Sequence, residues 1–325
     1  MQMIQTPGTD QIIKTDGSRP DSVVPNLYLV GVPKGGTTSL ARWLSDHPQI
    51  MGGTEKELRI LMDPHDPLSR PDGYHSTGLA AFAPYFPDGP GKARWQLDAS
   101  PEYYYQDLAL DVIAGLPDAR VVFLFRNPAD RVISMFNFAR FNMNVLPRDL
   151  SFAAFMAEIA KGRDSQLIGH RPMLRDAVAH GEYARYLELW QDRLGADRVT
   201  TLLLDDFREA AENRMAALAG WLGIESGFYA DYAFPSENES YVTRSAFLHK
   251  AMRKARRVLP YGFRRHFAPI YRLLNTSRSF EATFDDDDEI AINDLRSYYE
   301  PWNTALQELL GRDTPIWPRY FPDAS

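Results

Sequence analysis

Lys34 sits near the apex of a glycine-rich turn, Gly31-Val-Pro-Lys-Gly-Gly-Thr-Thr38, between a short apolar run and a segment with apolar residues at helical spacing. Such a turn offers backbone N–H groups and a helix N-terminus to an anion, and glycine lets the backbone approach a phosphate closely. The segment nearly fits the G-x-x-x-x-G-K-[ST] loop of nucleoside-triphosphate enzymes, but Thr37 stands where that loop needs lysine. Those enzymes also need Mg²⁺, held by a hydroxyl and by an acid at a strand end. Here the apolar run Val121–Phe125 ends in Arg126, a cation that repels a metal and attracts a second phosphate. Strand C-termini in open parallel sheets are where ligands bind. The expected ligand is therefore a nucleotide with one anion at the turn and another phosphate at Arg126, bound without metal. A sulfuryl group carries less charge than a transferring phosphoryl, so one lysine and a few amides can stabilise its transition state. Asp98, after another short run, keeps a P-loop phosphoryl-transfer enzyme using Mg-ATP open as an alternative. A non-catalytic nucleotide-binding protein is a second.

The elements that must hold these residues alternate along the chain. Asn26–Gly31 reads as a buried strand, followed by the turn and a helix carrying Leu40, Trp43 and Leu44. Further strands are expected at Ala93–Leu97, Arg120–Phe125 and Arg198–Leu204, and the run Val121–Phe125 is apolar as a central parallel strand should be. Helical patterns cover Leu108–Leu116, Ala129–Arg140, Phe152–Ala160, Tyr183–Leu194 and Asp288–Leu310, the last with an acidic start, Asp285 to Glu289, that suits a helix dipole better than a metal. The alternation predicts an α/β fold: a P-loop-like, doubly wound parallel sheet flanked by helices, in one domain over 25–325, after a loose polar tail over 1–24.

Pro33-Lys-Gly-Gly-Thr-Thr-Ser-Leu40 resembles the 5'-phosphosulfate loop of sulfotransferases that use PAPS (3'-phosphoadenosine 5'-phosphosulfate). Arg126-Asn-Pro-Ala-Asp-Arg-Val-Ile-Ser134 resembles their 3'-phosphate motif, an Arg at a strand end with a Ser eight residues on. Ser100-Pro-Glu-Tyr103, Gly181-Glu-Tyr183 and Tyr299-Glu-Pro-Trp-Asn303 extend the likeness, which is nearest the heparan-sulfate branch and its bacterial relatives. The resemblance implies that Lys34 contacts the 5'-phosphosulfate and that Gly35, Gly36, Thr37, Thr38 and Ser39 donate to the 5' phosphate. It implies that Arg126 and Ser134 bind the 3' phosphate, that Glu57 is the general base, and that Arg244 lies in a loop closing over the nucleotide. PAPS is then the co-substrate and PAP the product, with no metal. Two positions depart from the heparan pattern: Arg59 where His is common, and Ala99 where Lys is common. Both face the acceptor in the family, so the acceptor stays open among a sugar, a natural product and a lipid head group.

A carboxylate base works best with its pKa lifted towards neutrality by partial burial, which is the expectation for Glu57. His47 is the rival base on chemical grounds, although its place before Pro48 reads better as a helix-end cap; Asp98 and Glu102 rank behind. Arg131 reads as structural, and Tyr103, Tyr104 and Tyr105 as either an acceptor-cleft wall or a buried cluster.

The chain has 325 residues, a formal charge of −7 and no cysteine, which excludes disulfides, thiolate chemistry and a Cys-based zinc site and argues against general nucleic-acid binding. Ten basic residues run from Arg244 to Arg278 with no Asp or Glu between them, and read as two amphipathic helices broken near Pro260-Tyr-Gly262. This segment is expected to close over the nucleotide, to dock an anionic partner, or to lie on an anionic membrane surface. No apolar run of signal-peptide or membrane-spanning length occurs, so a cytoplasmic location without a transmembrane segment is expected.

Overall fold

Runs that are apolar at every position make strands buried on both faces, and two of them form the centre of the sheet. The computed structural model describes residues 23–89, 91–235, 241–243, 276–278 and 284–317. β1 (Leu27–Gly31) and β4 (Arg120–Phe125) lie side by side and parallel, Leu27 opposite Arg120. On one face Tyr28, Val30, Val121, Phe123 and Phe125 join a core with Trp190 and Tyr103; on the other Leu27, Leu29, Val122 and Leu124 join a core with Trp43 and Leu222. β3 (Trp95–Asp98) flanks β1, β5 (Val199–Leu203) flanks β4, and β2 (Ile50–Gly52) pairs with β3 at the far edge. The order is β2-β3-β1-β4-β5 and every pairing is parallel, which is the doubly wound sheet expected from the alternation.

The expected strand at Ala93–Leu97 is thus the third, not the second. The three-residue β2 is an addition, too short to stand out as a run. Leu204, expected to end a strand, instead opens a helix.

The α-helices among the described residues are α1 (Thr37–Ser45), a single turn α2 (Tyr74–Thr77), α3 (Asp107–Ala114), α4 (Pro128–Phe138), α5 (Phe152–Ala160), a single turn α6 (Pro172–Arg175), α7 (Tyr183–Leu194), α8 (Leu204–Leu222) and α9 (Asp286–Leu309). α5 and α7 match the sequence reading at both ends. α4 continues into a wider π turn over Ala139–Met143. The acidic start of α9 caps it: Asp285 accepts from the Asp288 N–H at 2.9 Å, and Asp288 accepts from the Ala153 N–H at 2.8 Å. A third core joins α4, α5 and α9 through Phe136, Phe152 and Leu295.

Residues 1–22 of the expected tail and residues 244–275 of the basic segment, Arg244 included, lie outside the described residues. The segment's last three residues are not helical: β7 (Thr276–Arg278) pairs antiparallel with β6 (Tyr241–Thr243). No helix among the described residues is long and apolar enough to cross a membrane.

Candidate active site

The chain leaves β1 and β4 in opposite directions along the sheet, and their C-terminal ends form the crevice where open α/β sheets bind ligands. The glycine-rich turn fills one side. It takes left-handed backbone at Lys34 (φ 69°) and Gly36 (φ 93°), and this change of hand gathers backbone amides into a concave nest. The Gly35 N–H closes the turn on the Val32 carbonyl at 2.9 Å, and Val32 N–H ties it to the Leu124 carbonyl of β4 at 3.0 Å. A Cβ on Gly35 would stand 2.7 Å from the Leu124 oxygen and 2.8 Å from the Val32 oxygen, both backbone atoms. Gly35→Ala is therefore expected to lose about 1–3 kcal/mol of stability, read from urea denaturation midpoints.

Arg126 fills the other side and its Nη1 donates to the Lys34 carbonyl at 3.3 Å, so the turn and the strand-end cation touch. Asn127 caps α4, its Oδ1 accepting from the Ala129 and Asp130 N–H groups, and Pro128 takes the first helical position. This fixes the direction of α4, on which Ser134 and Phe138 lie four residues apart on one face. The Lys34 ammonium stands 4.0 Å from the centre of the Phe138 ring. Burial pushes the Lys34 pKa down to about 8, helped by Arg126 and Lys56 and opposed by Glu57. A buried lysine beside two further cations marks a place where an anion would be welcome.

Glu57 belongs to the same neighbourhood. Lys56 Nζ donates to its Oε1 at 2.7 Å and Arg59 Nη2 to its Oε2 at 2.5 Å. Burial alone would raise this carboxyl, but Lys56 and Arg59 overrule it and hold the pKa below the usual range, opposite to the expectation. Glu57 is thus ionised at neutral pH and in the proton-accepting form, at some cost in base strength. Arg59, where a histidine was the pattern, also reaches Glu102 at 2.7 Å. Ala99, where a lysine was the pattern, lines a cavity of about 290 Å³ together with Thr38, Arg42, Ser45 and Lys56.

The other candidates have structural partners. His47 is buried; the Gln49 N–H donates to its Nδ1 at 3.1 Å, its Nε2 lies 2.9 Å from the Glu225 carbonyl, and its ring packs on Phe228. Tyr104 donates to the His180 carbonyl at 2.7 Å and Tyr105 stacks on the His180 ring at 4.0 Å, which favours the buried-cluster reading. Arg131 is buried and donates to the Ala177 carbonyl. Asp98 is fully buried and accepts from Ser100 Oγ at 2.7 Å and Tyr103 OH at 2.9 Å. Burial pushes its carboxyl up to about 7 against those two hydroxyls and the Leu58 N–H. An unfolded Asp titrates near pH 3.9, so the folded chain holds a proton that the unfolded chain has lost, and stability falls as pH rises from about 4 through 7. Asp98→Asn is expected to flatten that slope, measured by urea midpoints at several pH values.

The family model for the sulfotransferase domain matches residues 25–258. The chain belongs to the sulfotransferase domain family. Its sequence is 22% identical over 314 residues to human heparan sulfate glucosamine 3-O-sulfotransferase 3A1, covering 94% of this chain and 65% of that protein. It is 22% identical over 305 residues to the bifunctional heparan sulfate N-deacetylase/N-sulfotransferase 1 of Xenopus tropicalis, covering 91% of this chain and 31% of that protein. The chain spans less than two thirds of the length of either relative. Among solved structures, a sulfotransferase from Alicyclobacillus acidocaldarius superposes with a TM-score of 0.60 at 21% identity, covering 91% of this chain and 99% of that one. The likeness extends to the fold of the sulfotransferase as a whole, a parallel sheet between helices.

Proposed function

We propose that this sulfotransferase moves a sulfuryl group from PAPS to an acceptor hydroxyl or amine by in-line displacement. The observation that carries the reading is the meeting of Lys34 and Arg126 at the ends of the two central strands, with Glu57 close enough to act on the Lys34 ammonium. The residues present suit such a donor: an amide nest that a side chain at Gly35 would obstruct, and a cluster of cations only partly balanced by Glu57. Bound PAPS supplies an electrophilic sulfur on a phosphate leaving group. Lys34, the amides of Gly36, Thr37 and Thr38 and the Ser39 hydroxyl hold the 5' end and neutralise the charge left there, on the turn that the Gly35 N–H closes; Arg126 and Ser134 hold the 3' phosphate. Glu57 receives the proton of the attacking hydroxyl or amine. The cavity beside Ala99 gives room for part of the acceptor, and its lining of Arg42, Glu55 and Lys56 suits a polar one such as a sugar or a lipid head group.

Thermal shift with PAP, ATP and Mg-ATP tests the donor, since a ligand that binds only the folded state raises apparent stability. Stabilisation by PAP without metal is the expected result; stabilisation by Mg-ATP alone would point to phosphoryl transfer. Transfer of labelled sulfate from PAPS into a host extract tests turnover, and PAP binding with no labelled product would leave a non-catalytic binder.

A further inference from the structure

The Arg59 guanidinium joins two carboxylates, one of its own segment and one 43 residues further along the chain. Arg59 Nη2 donates to Glu57 Oε2 at 2.5 Å and to Glu102 Oε1 at 2.7 Å, and Arg59 Nε reaches Glu102 Oε2 at 3.4 Å. The Glu102 side chain is 4% exposed, against 29% for Arg59 and 29% for Glu57. A buried carboxylate must keep its cation, so the Arg59–Glu102 pair is the fixed half of the arrangement and Glu57 hangs from it. The main chain is fixed at the same point. Arg59 takes a left-handed backbone (φ 53°), and its N–H donates to Ser100 Oγ at 2.9 Å, which is itself bound to Asp98.

We propose that Glu102 is a positioning residue for sulfuryl transfer: it holds the Arg59 guanidinium, and Arg59 in turn fixes the Glu57 carboxylate beside Lys34. The proposal rests on the reading in which Glu57 takes the acceptor proton. Titratable groups from three segments surround Glu57. Lys56 and Arg59 come from its own segment, Lys34 from the glycine-rich turn with Arg126 beyond it, and Glu102 from the segment after β3 with Asp98 and Tyr105 behind. Glu55 turns away to Arg70 at 3.0 Å. Arg59 favours ionised Glu57; Glu102 takes up part of that guanidinium and adds a like charge, so it opposes ionisation. Loss of Arg59 must then raise the Glu57 titration midpoint, and loss of Glu102 must lower it.

The test is carboxyl ¹³C NMR of the full chain labelled at glutamate, with the Glu57 signal identified by its loss in Glu57→Gln. Arg59→Met is expected to raise the Glu57 midpoint by about one pH unit or more, and Glu102→Gln alone to lower it. Glu102→Asp should keep the wild-type midpoint and most of the kcat for labelled transfer, whereas Glu102→Gln lowers kcat and leaves the KM for PAPS in place. Stabilisation by PAP in each variant certifies a folded site. If Glu102→Gln does not fold, Arg59→Met decides, because it removes the cation through which Glu102 acts on Glu57. An unchanged midpoint in Arg59→Met, with Glu57→Gln inactive, overturns this proposal alone. A Glu57→Gln variant that transfers as fast as wild type overturns the base reading and the proposal with it.

Discussion

Lys34→Met is expected to lower sulfuryl transfer about a thousandfold, the scale seen when one preorganised donor to a developing anion is removed. The same side chain should make nucleotide binding depend on pH. In the empty site the ammonium loses its proton near pH 8 because it is buried and faces Arg126 and Lys56. A bound phosphate favours the protonated form and raises that pKa. Below about pH 7 the site is already charged and binding needs no proton. Above pH 8 binding must take a proton up, so PAP affinity falls by up to about tenfold per pH unit until the pKa of the complex is reached. Calorimetry in buffers of different ionisation enthalpy reads that uptake directly. Lys34→Met should bind PAP more weakly with no pH dependence between 7 and 9. A wild-type affinity that is flat over that range would remove Lys34 from the phosphate site.

Arg126→Ala is expected to erase the preference for PAP over adenosine 5'-phosphate. The two ligands differ only in the 3' phosphate, and a charge-assisted hydrogen bond to it is worth roughly 1.5–3 kcal/mol, or about ten- to a hundredfold in affinity. Arg126 also donates to the Lys34 carbonyl, so a smaller loss is expected for both nucleotides through a loosened turn. Titration of both ligands separates the two effects. An equal loss for each would leave Arg126 as a brace for the turn and place the 3' phosphate elsewhere.

Much of this was legible in the residues because the signals were local. β4 was read to the residue, since a strand buried on both faces has no polar interruption and ends where Arg126 begins. The turn announced itself through its glycines, and α5 and α7 through apolar spacing. What escaped depended on distant partners or on weak pattern. β2 is three residues at an edge, paired on one side. α8 opens directly from β5 and is broken by a non-helical Ala210, so its apolar residues do not keep one face. The direction of the Glu57 shift was misjudged because burial was considered without Lys56 and Arg59, the second of them held in place by Glu102 far along the chain. Phe138 beneath Lys34 was missed as well; the available clue was its place one turn beyond Ser134.

The two sides of the crevice hang from different parts of the sheet. The groups assigned to the nucleotide follow β1 and β4, strands each clasped by a neighbour on either flank, while Glu57 follows β2, the outermost strand on its side. Substitutions at the exposed Thr54 and Glu55 therefore touch one margin of the sheet, whereas Leu58, Ile60 and Leu61 anchor the same segment in the core beneath β1 and β4. The proposed base thus hangs from the rim of the sheet, and the turn and Arg126 from its middle.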